Sequence, residues 1–266
     1  MQPAHSRRYV AHVRIAVAGK GGAGKSVLVG TLARVLARRG HRVLALDSDV
    51  MPGLALSLGA KPPPEPPLND AAEVEDGKWR LKRGIGPVRA VRRFSTPAPD
   101  GVLLLQGGKV GPDGLTPIMP ALQAFYRVVH AIRQTPGLRD WTIVGDLSAG
   151  PRQTAFDWAP YADAMIALAE PTWKSALTAR RIARIARSRR RAPALLVVAS
   201  KVSGRADVRR VADLVGQPVF GAIPTDESVV AAERAGAAPI DYAPDGPAVD
   251  AISAVATRLE RLLLPR

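Results

Sequence analysis

The chain has 266 residues, is 47% hydrophobic and contains no cysteine, which excludes disulfides, thiolate metal sites and cysteine nucleophiles together. Its formal net charge is +15, a field that favours polyanions, acidic proteins or anionic membrane, and that arginines spread over a solvated surface would equally produce. No run approaches the ~18 apolar residues of a membrane span, and His5, His12, His41 and His130 form no ligand spacing, so a bound metal would be an oxygen-liganded ion such as Mg²⁺.

Residues 1–12 are a polar lead-in without the apolar core of a signal peptide, so the expected location is cytoplasmic. Residues 13–266 are expected to form one domain, with a basic, proline-rich excursion over about 61–94. The run VRIAVA, residues 13–18, predicts a strand, and VLVGTLARVLARRG predicts a helix that spans 25–39 and ends at Gly40. Between them lies GKGGAGKS, Gly19 to Ser26, with every fixed position of GxxxxGK[ST] filled. Strand, glycine-rich loop and helix are the context of a phosphate-binding P-loop. Gly21, Gly22 and Gly24 permit a tight backbone turn whose amides converge on an anion. Lys25 would then reach the β- and γ-phosphates and Ser26 would place its hydroxyl on Mg²⁺.

A second strand, HRVLAL, ends in Asp47-Ser48-Asp49. Acidic groups at the C-terminal end of a parallel strand sit where ligands bind, so Asp49 is expected to hold a water in line with the γ-phosphate and Asp47 to support the Mg²⁺ shell. The bland alternative is a pair of loop aspartates capping the next short helix or turn, Gly53 to Gly59. Lys61 to Pro67 reads as stiff and extended. Asp76 to Phe94 reads as irregular and basic, with Trp79 as an anchor rather than a nucleic-acid stacking platform. GVLLLQ (101–106) is a third strand, 121–134 a helix, and WTIVGDL (141–147) a fourth strand that delivers Asp146, the expected Mg²⁺-side partner of the loop. Gly150 would let the following loop approach the γ-phosphate and act as a switch, with Arg152 and Thr154 in the mobile stretch.

Strands follow at 162–170, 194–200 and 218–223. The ends of the last two place Ser200, Lys201, Pro224 and Asp226 beside the nucleotide base. On the helix 173–190, Arg180, Arg184, Arg187 and Arg191 form one ridge, with Leu177, Ile182 and Ile185 on another side, so the ridge is a possible surface for an acidic partner or simply a solvated face. A last helix, 247–264, is expected to dock on its own sheet. Strands alternating with helices predict an α/β fold: a three-layer, mostly parallel twisted sheet with helices on both faces.

KGGAGKS carries an additional lysine, Lys20, at its start. This resembles the deviant Walker A box of the MinD/ParA superfamily of P-loop ATPases. ALDSDVMPGLALSLG resembles that family's switch I, DLSAG its switch II and PIDYAPDGPAV its C-terminal segment; DLSAG followed by AEPTWKSALTARRIARIA is similar to CooC-type accessory ATPases. The resemblance implies ATP with Mg²⁺ as ligands, contacts from Lys20, Gly21, Gly22, Ala23, Gly24, Lys25, Ser26 and Val27, and a homodimer in the ATP state in which Lys20 crosses to the partner's phosphates.

Three departures stand out. The cysteine pair that holds nickel in CooC proteins, near Gly114 to Pro117 here, is absent. Val27 replaces a hydroxyl residue that bonds the α-phosphate, and Ser200 replaces the asparagine that reads adenine. The resemblance implies a switch acting for an unidentified protein partner. A DNA- or membrane-associated positioning ATPase, with nonspecific DNA or anionic membrane as partner, and a nucleotide-binding regulator with little turnover stand as alternatives.

Overall fold

The computed structural model describes residues 12–65, 67–109, 114, 118–188 and 192–263. Uninterrupted apolar runs become strands buried on both faces, as a parallel sheet covered by helices requires. In chain order they are β1 (Arg14–Gly19), β2 (Val43–Asp47), β6 (Leu103–Gln106), β7 (Thr142–Asp146), β8 (Ala164–Ala169), β9 (Ala194–Val202) and β10 (Val219–Pro224). A short strand, β5 (Thr96–Pro97), joins β6 in antiparallel fashion at the edge. The sheet order is β10-β9-β8-β1-β7-β2-β6-β5, and every other pairing is parallel. β1 therefore sits at the centre, and the loop that leaves it opens where the strand order diverges, which is the crevice that ligands use in such sheets.

Alternate strand residues feed two cores. Val43, Ala45, Leu104 and Val144 pack with α1 (Lys25–Arg38), α2 (Leu54–Leu58) and α10 (Pro247–Leu263). Leu44, Leu46, Leu105 and Ile143 pack on the other face with α4 (Met119–Ala131) and α6 (Trp173–Arg187). Each fully buried Val, Leu or Ile among them contributes roughly 1.5–3 kcal/mol. The last helix docks as expected: Ile252, Val255 and Leu259 are buried, while Leu262 is half exposed. Among the described residues no helix is long and apolar enough to cross a membrane.

The stretch 76–94, expected to be irregular, is ordered. β3 (Ala72–Glu75) and β4 (Lys78–Leu81) form an antiparallel hairpin with Val74 opposite Trp79. Its turn is Asp76-Gly77, both with positive φ (51° and 69°), the Asp-Gly pair that two-residue hairpin turns favour. α3 (Pro87–Phe94) follows, opened by a proline whose fixed φ suits a first helical position and held by buried Ala90, Val91 and Phe94. Sequence reading also missed α7 (Arg205–Val215), ended by Gly216 at φ 71°, and the shorter α5 (Arg152–Ala155), α8 (Glu227–Arg234) and α9 (Pro239–Tyr242). Leu177 is corrected too: α6 buries Ser175, Ala176, Ala179, Ile182, Ala183 and Ala186, and Leu177 lies outside, 44% exposed.

One contact pins the strand that carries Asp146. A Cβ added to Gly145 would overlap the hydroxyl of the buried Tyr161. Gly145→Ala should therefore destabilise the chain by about 1–3 kcal/mol, and Tyr161→Phe in the same chain should restore part of that loss. Urea unfolding of the three variants checks this; a Gly145→Ala chain as stable as wild type refutes the packing account.

Candidate functional site

The loop after β1 turns on Gly22 and Gly24, at φ 79° and 90°, conformations that the Cβ of any other residue would strain. α1 begins at Lys25, has no side-chain cap and carries no acidic residue in its first turn. Its first amides are thus left for an external acceptor, and the helix dipole makes that acceptor an anion. Lys25 is 8% exposed and its Nζ lies 3.4 Å from the Lys20 carbonyl it donates to. Val27 turns to the core beneath α1.

Beside this anion site lie two buried carboxylates. Asp47 and Asp146 end neighbouring strands in direct register. The Ser26 hydroxyl donates to Asp146 Oδ2 at 2.6 Å, while Asp146 Oδ1 is buried without a partner. Asp47 accepts from the amides of Asp49 (3.1 Å) and Leu54 (3.3 Å). Burial, with Asp146 alongside, pushes the Asp47 carboxyl up to about 8 despite those amides. Burial likewise lifts Asp146 to about 6, opposed by the Ser26 hydroxyl and by Lys25. Hydroxyl and carboxylate oxygens side by side, one lone pair set unmet, are a donor group suited to a small hard cation, which takes most of its other ligands from water and phosphate. Asp49 is partly exposed, and its Oδ1 accepts from the Met51 amide at 3.1 Å, a local turn of the kind aspartates favour.

The other expected positions divide. Ser200 donates to the Ala23 carbonyl at 2.8 Å, and Lys201 to the Gly22 carbonyl at 2.6 Å, so both hold the P-loop backbone itself. Glu170, at the end of β8, receives Lys201 at 3.3 Å and Lys20 at 3.8 Å. Asp226 is a helix cap: Oδ1 accepts the Ser228 amide at 2.9 Å, and Oδ2 accepts the Ala248 amide at 2.9 Å. Burial works against its charge, yet the Ser228 hydroxyl and these amides hold the carboxyl below its usual range. Pro224 is a rung of the β10–β9 ladder, opposite Val202. Among the described residues neither Pro224 nor Asp226 bonds to the P-loop; their expected place beside the base is left to a bound nucleotide to test. Gly150 donates its amide to the Gly19 carbonyl at 2.9 Å, with φ 87°. Arg180, Arg184 and Arg187 are exposed on α6; Arg191, residues 1–11 and 115–117 lie outside the described residues.

Sequence reasoning missed Gln153. Its Oε1 accepts the Ser148 amide at 2.8 Å and lies 2.6 Å from the Ser48 hydroxyl, while its Nε2 donates to the Ser48 carbonyl at 2.7 Å. It thereby ties the loop after β2 to the loop after β7. A lone glutamine just past DLSAG was the available signal, but nothing local names its partner 105 residues away.

The chain is similar to several known proteins. It is 29% identical over 246 residues to the carbon monoxide dehydrogenase accessory protein CooC of Rhodospirillum rubrum, covering 87% of this chain and 91% of that one. It is 28% identical over 237 residues to an uncharacterised ATP-binding protein of Methanocaldococcus jannaschii, covering 84% and 90% respectively. Its fold is similar to that of the Pyrococcus furiosus cell division ATPase MinD, with a TM-score of 0.70, 20% identity and coverage of 94% of this chain and 99% of that one. A ParA family ATPase from Chlorobium tepidum superposes with a TM-score of 0.70 at 17% identity, covering 92% and 98%. The CobQ/CobB/MinD/ParA nucleotide binding domain matches residues 15–240. That span contains the central sheet, the loop after β1 and both strand-end aspartates, and the chain belongs to the CobQ/CobB/MinD/ParA nucleotide-binding family.

Proposed function

We propose that the chain is a Mg²⁺-dependent ATP-binding and hydrolysing switch, dimeric in its ATP state, that serves as an accessory ATPase for a partner protein. The observation that carries this reading is Ser26 bonded to Asp146 at 2.6 Å beside an unpartnered, buried Asp146 Oδ1, at the uncapped start of the P-loop helix. The first amides of α1 and Lys25 would hold the phosphates; Ser26 and Asp146, with Asp47 behind them, would hold Mg²⁺. The ion would supply charge stabilisation on the phosphoryl oxygens. Asp49 would orient the attacking water, and Lys25 with Lys20 would offset developing charge, Lys20 acting on the partner's nucleotide. Glu170 engages Lys20 in the single chain, so this cross-subunit role requires Lys20 to leave Glu170. Hydrolysis would then be relayed through the Ser48–Gln153–Ser148 clasp and Gly150.

The accessory role is supported by similarity to the CooC protein of Rhodospirillum rubrum, and partner binding by fold similarity to MinD in an Aquifex aeolicus MinC:MinD complex, TM-score 0.63 at 20% identity. With no cysteine in the chain, a nickel-holding thiolate pair is not part of the proposal. Positioning on DNA or anionic membrane is a second reading, supported by the net charge of +15; such binding would be phosphate-dominated and salt-sensitive.

Two experiments test the site. Lys25→Ala should abolish binding of a fluorescent ATP analogue, whereas Asp49→Ala should bind ATP yet lose at least about tenfold in turnover and accumulate as dimers in light scattering. Wild-type turnover in Asp49→Ala would sink its water-orienting role.

The carboxylates make a second prediction. The folded chain holds Asp47 protonated up to about pH 8 against 3.8 for the free side chain. Folded protein therefore binds protons that the unfolded chain releases, and metal-free stability falls as pH rises across that window. Asp47→Asn should gain on wild type between pH 5 and pH 8 by on the order of 1–3 kcal/mol, read from urea midpoints in chelator. A stability difference independent of pH would refute buried charge as the cost.

A further inference from the structure

α6 presents an outward stripe that nothing in the fold uses. Trp173, at 66% exposure, and Leu177, at 44%, are followed on the same line by Arg180, Arg184 and Arg187, all exposed. The steps are four, three, four and three residues, which keeps all five side chains within about 80° of arc on a 3.6-residue helix. That alternation is the spacing at which one helix receives another. The adjoining face of α6 is sealed in the core by Ala176, Ala179, Ala183 and Ala186, and the side opposite by Ser175 and Ile182.

The electrostatics are one-sided. From Trp173 to Arg187 there is no acidic residue, and Lys174 and Arg181 flank the stripe. Among the described residues Arg180, Arg184 and Arg187 have no ion pair or side-chain hydrogen bond. The neighbouring helix α7 adds exposed Arg205, Arg209 and Arg210 against two acids, Asp207, which accepts the Ser203 amide, and exposed Asp213, and is fastened beside the start of α6 by Arg210 Nε donating to the Pro171 carbonyl at 3.0 Å. A partner here must therefore bring negative charge.

We propose that this stripe is the docking seam for an acidic helix of a partner protein, apolar at the end that meets Trp173 and Leu177 and carboxylate-bearing where it meets the three arginines. The seam is too narrow for a membrane-lying helix, whose apolar face spans at least about 100°. It is also poorly suited to DNA, because two exposed apolar side chains on the line gain nothing from phosphates. A partner helix instead buries Trp173 and Leu177 as anchors, with tryptophan among the residue types that dominate interface energies, and pairs the arginines through bidentate carboxylate contacts.

The seam also lies next to the nucleotide site. Trp173 follows Glu170, which holds both Lys20 and Lys201, and α5, carrying Phe156 at 60% exposure just past its end, packs against α6. Docking at Trp173 is thus positioned to move the residue that engages the first P-loop lysine. This deepens the partner half of the function proposed above and rests on it for the nucleotide coupling, while the docking itself can be measured alone.

The probe is a fluorescein-labelled helical peptide of about 18 residues whose heptad seam carries two leucines followed by three glutamates, together with its order-reversed counterpart for antiparallel docking. A control peptide of the same composition has those residues moved off the seam. Anisotropy with the full chain at ~150 mM salt, where weak charge attraction is screened, should show one seam peptide binding at least about tenfold tighter than the control. Trp173→Ala/Leu177→Ala and Arg180→Glu/Arg184→Glu should each weaken it by about tenfold or more, with circular dichroism and binding of fluorescent ADP unchanged. Equal binding of seam and control peptides overturns the proposal. So does wild-type affinity in both variants, or variants that lose only binding to phosphatidylglycerol vesicles or duplex DNA. If wild type binds the seam peptide but no nucleotide, the ATPase reading fails and the docking seam stands.

Discussion

Two carboxylates buried side by side set the terms for everything around them. Asp47 and Asp146 are held in register by the β2–β7 pairing at 0% and 3% exposure, and because burying unpaired charge costs several kcal/mol, burial pushes both carboxyls above their usual range. Each feature nearby reads as a response. The loop helix must begin with Lys25 and Ser26, because they supply the cation and the hydroxyl that Asp146 faces. The loop after β2 must double back so that Leu54 can donate its amide to Asp47, which fixes where α2 starts. What these donors leave unmet, Asp146 Oδ1 above all, is the standing demand for a cation.

That demand is shared between loops that would otherwise move independently. Ser48, following Asp47, donates its amide to the Asp146 carbonyl at 3.1 Å, and Gln153 bridges Ser48 and Ser148. Gly150 is in turn bonded to Gly19, where the P-loop begins. The strand end that carries Asp146 is therefore joined to three loop segments by hydrogen bonds rather than by a packed core. Such contacts, each worth about 1 kcal/mol net, are of the size that a bound phosphate's charge can rearrange.

How much of this was legible in the sequence depended on range. The central strands are long apolar runs, and the P-loop is local, so β1, α1 and the strand-end aspartates could be placed by pattern alone. The hairpin at 72–81 was lost because each strand is only four residues long and the charged pairs Glu73–Arg80 and Glu75–Lys78 alternate with just two apolar ones, Ala72–Leu81 and Val74–Trp79. Leu177 was put on the wrong side of α6 because leucine was assumed to be core, whereas closely packed alanines fill that side. The capping role of Asp226 went unread, although Ser228 two residues on is the signature of a local cap. The bridging role of Gln153 could not be read, since Ser148 is local to it but Ser48 is brought near only by the β2–β7 pairing.

The same distinction turns a bulk charge into a location. With 38 basic and 23 acidic side chains, the composition alone admits either an even coat of arginine or a patch. The structure spends acids on particular arginines. Asp100 receives Arg34 at 2.7 Å and Arg38 at 2.9 Å, Arg34 also meets Asp241, Glu260 receives Arg39 at 2.6 Å, and Asp163 receives Arg133 at 2.7 Å. Arg34 is almost fully buried, so there the two carboxylates offset the desolvation of its guanidinium. α6 receives none of these acids. Its arginines stay solvated, where a lone surface ion pair would be worth little, and they line up with Trp173 and Leu177, a stripe that starts three residues beyond the glutamate that holds Lys20. On α6, then, the solvated charge forms a located stripe beside the P-loop's own counter-ion rather than an even coat.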